Sequence, residues 1–210
     1  MSAASVPALA LARLDALLAG GQRRLLGLVG APGSGKSTLA AALQSLRPGT
    51  TQVVPMDGFH LANVELARLG RAGRKGAPDT FDGLGYVELL RRLKTQREGE
   101  IVYAPEFRRE IEEPIAGAIA VLPDTRLVVT EGNYLLLDEA PWSGIRDLLD
   151  EVWYVEVDDV LRTQRLVHRH EQFGRSREAA LAWVAHTDEP NARLIAATRA
   201  RAHHLVRWEE

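Results

Sequence analysis

Nine consecutive residues, Gly30 to Thr38 (GAPGSGKST), set glycines, a lysine and a hydroxyl in the spacing G-x-x-x-x-G-K-[ST]. That spacing suits a polyphosphate, whose oxygens are best held by backbone N–H groups on a chain that glycine lets curl tightly. Lys36 supplies a point charge to the outer phosphates, and the Ser37 hydroxyl can ligate Mg2+. A helix that starts here turns its positive end toward the anion. The contacts expected for a bound nucleotide are therefore Gly30, Gly33, Ser34, Gly35, Lys36, Ser37 and Thr38. A glycine-rich turn would have a similar composition, but the chain has only three lysines, Lys36, Lys75 and Lys94, which disfavours a chance match.

Two acids stand where a carboxylate could complete such a site. Asp57 follows the apolar run TQVVPM and opens DGFH. Its carboxylate should project beside the loop, where it can take the proton of a substrate hydroxyl as that oxygen attacks the γ-phosphorus. The competing readings are an Asp-Gly turn and an acid that only helps to hold Mg2+. Glu131 follows LVVT and precedes Gly132; it orients Mg2+ through water, unless it is an exposed turn glutamate. Arg162, Arg165 and Arg169 recur at spacings of three and four on one helix face, where like charges repel unless an anion lies between them. They read as a lid over a triphosphate, or as a solvated face in a chain whose 26 basic residues are mostly arginine. Arg71, Arg74 and Lys75, spaced by glycines, form either a substrate-anion loop or a solvated turn. His60, three residues past Asp57, can reach a substrate or serve a structural hydrogen bond. The remaining histidine pairs, His168 with His170 and His203 with His204, point different ways, which argues against metal ligation.

These residues need a scaffold. Apolar, strand-like runs at Arg24 to Val29, Thr51 to Met56, Arg126 to Thr130, Val152 to Val157 and Leu205 to Trp208 alternate with helical segments. The pattern predicts an α/β protein in the three-layer P-loop NTPase arrangement. Its five-stranded parallel sheet is covered by helices on both faces, and ligands sit at the carboxyl ends of the strands. At 210 residues and 46% hydrophobic, the chain suits one domain over 1–210, with a substrate-side insertion about 61–123 and a helical lid about 159–177. Within the insertion a helix is expected near Leu84 to Arg97 and an extended piece at Ile101 to Phe107. A formal charge of -2 gives no general pull toward nucleic acid or an acidic membrane. The absence of cysteine excludes disulfides, thiolate zinc sites and cysteine nucleophiles. Leu11, Leu14 and Leu18 share one face of an N-terminal helix that Arg13 and Asp15 interrupt, which predicts a docking helix rather than a signal peptide. No run reaches transmembrane length, so a cytoplasmic protein is expected. No heptad or broad apolar stripe fixes an oligomeric state, and a homodimer stays open.

Taken together, GAPGSGKST, VVPMDGFH, RKGAPDTFD, VVTEGNYLLL and LRTQRLVHRH resemble, in order, the phosphoribulokinase, uridine kinase and type I pantothenate kinase group of P-loop metabolite kinases. The tail EQFGRSREAALAWVAHTDEPNARLI is most similar to a bacterial subgroup labelled fructose-transport-system or uridine kinase-like. The resemblance spans most of the chain. It implies that Asp57 is the general base, that His60 and Asp82 belong to the substrate pocket, and that Arg162, Arg165 and Arg169 are the lid arginines. ATP and Mg2+ are the cofactors it implies. One departure stands out: where uridine kinases place Tyr-Asp-Phe to grip the nucleoside, this chain reads Pro105, Glu106, Phe107, Arg108, Arg109. Arginine there favours an acceptor with a carboxylate or phosphate, unless Arg108 or Arg109 pairs with Glu112 or Glu113.

The resulting expectation is an ATP-dependent kinase that phosphorylates a hydroxyl of a small metabolite: a sugar, a nucleoside or a pantothenate-like acid. Asp57, Lys36, Arg165 and Arg169 would carry the catalysis. Arg162 would join the loop in holding nucleotide, Ser37 and Glu131 the metal, and His60, Asp82, Arg108 and Arg109 the acceptor. The alternative is a nucleotide-dependent switch that hydrolyses slowly and has no small acceptor. No lysine lies in the N-K-x-D segment that a guanine-reading switch requires. A nucleoside monophosphate kinase also fits the fold but lacks an obvious pair of base-reading residues.

Overall fold

A computed structural model describes residues 6–207. In chain order the elements are α1 (Ala8–Leu18), β1 (Arg24–Val29), α2 (Lys36–Leu46), β2 (Thr51–Pro55), α3 (Asn63–Arg68), α4 (Gly83–Lys94), β3 (Val102–Arg108), β4 (Glu113–Val121), β5 (Leu127–Gly132), α5 (Ile145–Leu148), β6 (Glu151–Glu156), α6 (Asp159–Gln172), α7 (Arg177–Trp183), α8 (Glu189–Ala196) and β7 (His204–Arg207). The β5 sequence LVVTEG is buried at every position, as befits a strand covered on both faces. It lies between β2 and β1 in a parallel sheet ordered β2-β5-β1-β6-β7. The chain leaves β1 for one edge of this sheet and returns later to build the other side. The crevice above the end of β1 is thus the place where such sheets bind ligands.

Alternation along β1 sends its side chains into two separate cores. Leu26 and Leu28 meet Leu14 of α1, Leu39 and Leu43 of α2, and Trp153. Leu25 and Val29 meet Tyr86 and Leu90 of α4, and Trp142. That makes the three layers. The N-terminal helix docks as its leucine spacing predicts, with Leu14 buried and Leu11 and Leu18 at the margin.

Local chemistry sets the lid helices. Asp158 caps α6, its Oδ1 accepting from the amides of Val160 and Leu161 at 2.9 and 3.1 Å, and Ser176 caps α7 by accepting from Ala179 N at 3.2 Å. A π-helical turn, Val184–Asp188, then joins α7 to α8.

The insertion differs from its sequence reading in one element. β3 is not an isolated extended piece but one strand of an antiparallel ribbon with β4. The β4 sequence EPIAGAIAV is largely exposed, with only Val121 buried, so no burial-driven alternation marks it. The ribbon enters the core through Val102, Ala104 and Val121. Its Pro105 rests on Gly58, where a Cβ would lie 2.3 Å from the Pro105 carbonyl oxygen. The edge strand β7 is observed over His204–Arg207, and Trp208 lies outside the described residues.

Candidate active site

The phosphate loop leaves β1 and enters α2 through Gly33 and Gly35, at φ 80° and 85°, the left-handed region that favours glycine. Lys36 curls back so that Nζ donates to the carbonyl oxygens of Gly30 and Ala31 at 2.9 and 3.1 Å. Burial pushes its pKa down to about 8; Glu131 and Asp57 pull it up, while Arg169 and Arg109 add to the fall. Ser37 Oγ donates to Glu131 Oε1 at 3.0 Å. Pairing of β5 with β2 and β1 sets Glu131 level with Pro55 and Leu28, at the carboxyl end of the sheet. Burial and the nearby Asp57 carboxylate hold Glu131 above its usual range, against Lys36, Ser37 and Arg109.

These features fit a magnesium nucleotide. The loop is tight enough that a Cβ on Gly30 would lie 2.6 Å from Val155 O. Ser34 Oγ is buried with no hydrogen-bond partner among the described residues. The hydroxyl and carboxylate of Ser37 and Glu131 form a hard oxygen pair of the kind Mg2+ takes together with substrate phosphates. No set of three or more His, Asp or Glu residues among those described could hold a metal ion.

Asp57 sits in a 3-10 turn, Met56–Phe59, that leaves β2. Arg109 Nη2 donates to its Oδ2 at 3.1 Å. Burial opposes ionisation of Asp57, but His60, Arg109, Lys36 and Arg169 outweigh it and hold the pKa below the ordinary value. His60 is tied to the same turn: its backbone N and ring Nδ1 donate to Asp57 O at 3.1 and 2.7 Å. Its ring lies against Phe81 and Phe107, with centroids 4.0 and 4.6 Å away. Burial lowers the His60 pKa, and Asp57 raises it only in part.

Asp57, Lys36, Ser37 and Glu131 line one cavity of about 670 Å3, together with Gly33, Gly35, Thr38, His60, Arg109, Arg165 and Arg169. Gly30 and Ser34 support the loop from behind. The lid arginines divide. Arg165 and Arg169 reach the cavity, whereas Arg162 is buried behind the loop, its Nη2 on Glu189 Oε1 at 2.5 Å and its Nε on Asp159 Oδ1 at 3.0 Å. Its stem lies against Gly33, and its head borders a neighbouring cleft. The expected acceptor residues divide as well. His60 and Arg109 line the cavity, but Asp82 is exposed and caps α4, accepting from Gly85 N at 2.8 Å. Arg108 pairs with Glu106 at 2.8 Å outside the cavity, because β3 ends there and only the turn that follows brings Arg109 in. In the glycine-spaced cluster, Arg71 and Arg74 pair with Asp79, and Lys75 alone lines the cavity.

Several residues in or behind the cavity wall had no role assigned from the sequence. Tyr134, fully buried, donates to Gly76 O and supports the Lys75 loop, and the cavity wall itself includes Phe107, Asp188, which accepts from His170 Nε2 at 2.9 Å, and Asn191. The polar run TDEPN carried a signal for the last two, since helix interiors rarely spend buried Asp and Asn without partners.

The sequence pattern of the Phosphoribulokinase / Uridine kinase family matches residues 25–208. The chain is 41% identical to a kinase from Silicibacter sp. TM1040 provisionally named for a fructose transport system; their structures match over 100% of both chains with a TM-score of 0.82. It is 40% identical over 158 residues to a provisionally named uridine kinase of Schizosaccharomyces pombe, covering 71% of this chain and 67% of that one. A P-loop kinase of Saccharomyces cerevisiae shares the fold, with a TM-score of 0.73 over 90% of this chain and 93% of that one at 19% identity. Among the described residues no helix is long and apolar enough to cross a membrane.

Proposed function

This chain belongs to the phosphoribulokinase and uridine kinase family, and from that premise we propose that it transfers the γ-phosphoryl group of ATP to a hydroxyl of a small metabolite. One observation carries the reading. The Asp57 carboxylate shares a cavity with Lys36 and the hydrogen-bonded Ser37–Glu131 pair, an arrangement that supports transfer to an external hydroxyl.

In this reading the amides of the Gly30–Thr38 loop, Lys36, Arg165 and Arg169 hold the triphosphate, and Ser37 with Glu131 holds Mg2+, directly or through water. When bound, Mg2+ withdraws charge from the phosphate oxygens. Asp57 accepts the acceptor's hydroxyl proton as its oxygen bonds to the γ-phosphorus. The bond from that phosphorus to the bridging oxygen breaks, and ADP leaves with the electron pair. A depressed pKa makes Asp57 a weak base, so its larger contribution is to align the hydroxyl. Lys36, Arg165 and Arg169 neutralise charge on the moving group, and closure of α6 would keep water from competing.

The test is coupled ADP release over a panel of small hydroxyl metabolites, with Lys36→Ala as the blank. ADP release that depends on one acceptor, with a phosphorylated product, is the expected outcome. ADP release at the same rate whatever acceptor is present would sink the proposal.

A further inference from the structure

We infer that the acceptor carries an anionic group, a phosphate monoester or a carboxylate, and that Arg109 and Lys75, both beside Phe107, bind it. The inference rests on the kinase reading above and narrows its substrate class. The cavity is lined by six lysines and arginines against four carboxylates, in a chain whose formal charge is -2. A triphosphate accounts for Lys36, Arg165 and Arg169, and Arg175 lies over the Trp183 ring, 3.8 Å from its centroid. The triphosphate does not account for Lys75 and Arg109, which stand on the acceptor side with Asp57 and His60.

Those two cations are held in place. Lys75 Nζ donates to Asn63 Oδ1 at 2.7 Å and to the Glu112 carbonyl oxygen. Asn63 Nδ2 donates to that same carbonyl at 3.1 Å, and Asn63 N donates to the Glu113 carboxylate at 3.1 Å. These bonds pin the tip of the β3–β4 ribbon to α3. Glu112 keeps a left-handed φ of 53° at that tip, a strained conformation for a non-glycine residue that the bonds help to hold. As a result Lys75 Nζ and Arg109 Cζ lie 5.1 and 5.8 Å from the centroid of the Phe107 ring.

The bond from Arg109 to Asp57 gives the arrangement a chemical consequence. With Arg109 on its Oδ2, Asp57 is occupied by a cation and less able to take a hydroxyl proton. An anionic group on the acceptor offers Arg109 a replacement partner, so the carboxylate is released while the guanidinium stays paired. A neutral acceptor offers no exchange, and Arg109 remains on the base. Charge recognition and release of the base are thereby one event.

The experiment saturates the protein with Mg2+ and a non-hydrolysable ATP analogue, so that the loop is filled, and titrates inorganic phosphate or acetate by calorimetry. One of the two ions binds to wild type, and its identity assigns phosphate monoester or carboxylate. Combined Arg109→Gln and Lys75→Gln should weaken it at least about tenfold, with Arg109→Lys intermediate. Equal affinity in wild type and the double variant, or no binding of either ion, overturns the inference. If acceptor-dependent ADP release is nevertheless found, the kinase reading survives that failure. Ion binding with ADP release that ignores every acceptor would instead remove the kinase reading on which this inference rests.

Discussion

The donor side of the cavity is one contiguous stretch, Gly30 to Thr38, backed by the end of β5. The acceptor side is gathered from the Met56–Phe59 turn, the Lys75 loop, the tip of the β3–β4 ribbon and the π-turn before α8. On the donor side Lys36 and Glu131 are buried, and their partners are fixed by the sheet. On the acceptor side Arg109 and Asp57 keep 38% and 27% of their side-chain surface, and ribbon and loop are joined by a few hydrogen bonds. A parallel sheet and a tight loop fix phosphate chemistry in one place, and a half-exposed assembly on the opposite wall can be altered without disturbing it. If that division is real, substitutions should separate into those that act on nucleotide and those that act on acceptor.

The largest effects are expected at Lys36 and at Asp57. Lys36→Ala should lower kcat roughly 10^3-fold by removing a buried cation from the moving phosphoryl group, as single-turnover phosphoryl transfer would show. Next comes Gly58→Val. Its Cβ, which would lie 2.3 Å from Pro105 O, must push the ribbon away. A displacement near 1 Å should cost about 10^2-fold in kcat/KM for the acceptor while nucleotide Kd holds within about twofold. A parallel loss of nucleotide affinity would break the separation between the two walls.

Glu131→Gln sharpens it from the donor side. Mg2+ affinity should fall about tenfold in a metal titration. Glu131 has its folded pKa raised by burial and by Asp57, so its contribution to stability is present below the unfolded pKa and lost as pH rises through the folded one. At neutral pH its buried charge is therefore unfavourable without metal, and the variant should melt roughly 2–4 °C higher in calorimetry.

The smallest effect is in pH dependence. As pH falls, Glu131 takes up a proton before Asp57, whose pKa is held below 3.8 although burial opposes it. Acidification should first raise the Mg2+ concentration needed for half-maximal rate and only later reduce kcat. Rate profiles over Mg2+ concentration, carried from about pH 7 down past the ordinary aspartate range, check the order.

The same contrast explains what could be read in the sequence. GAPGSGKST was legible because the anion-binding backbone is local, and the β-branched runs around it announce the sheet. Glu131 and Asp57 were legible as strand-end acids. The acceptor wall depends on element boundaries and long-range packing. Arg108 and Arg109 are adjacent and alike, and only where β3 ends, at Arg108, and the turn begins decides which one enters the cavity. Asp82 before a helix reads equally well as an N-cap, which is where the structure places it. Arg162 shares a helical face with Arg165 and Arg169, yet Glu189, 27 positions further along, draws it behind the loop. The π-turn that presents Asp188 leaves no periodicity to detect, and exposed β4 leaves no alternation.

The central claim is that Asp57 acts on the acceptor and not on the nucleotide. Asp57→Asn keeps the side chain's size and removes its charge, so kcat for acceptor phosphorylation should fall roughly 10^3-fold. In the same preparation Kd for Mg·ATP, measured by calorimetry, should stay within about twofold of wild type. An Asp57→Asn protein that phosphorylates its acceptor at close to the wild-type rate, or that loses nucleotide binding along with activity, would contradict the account.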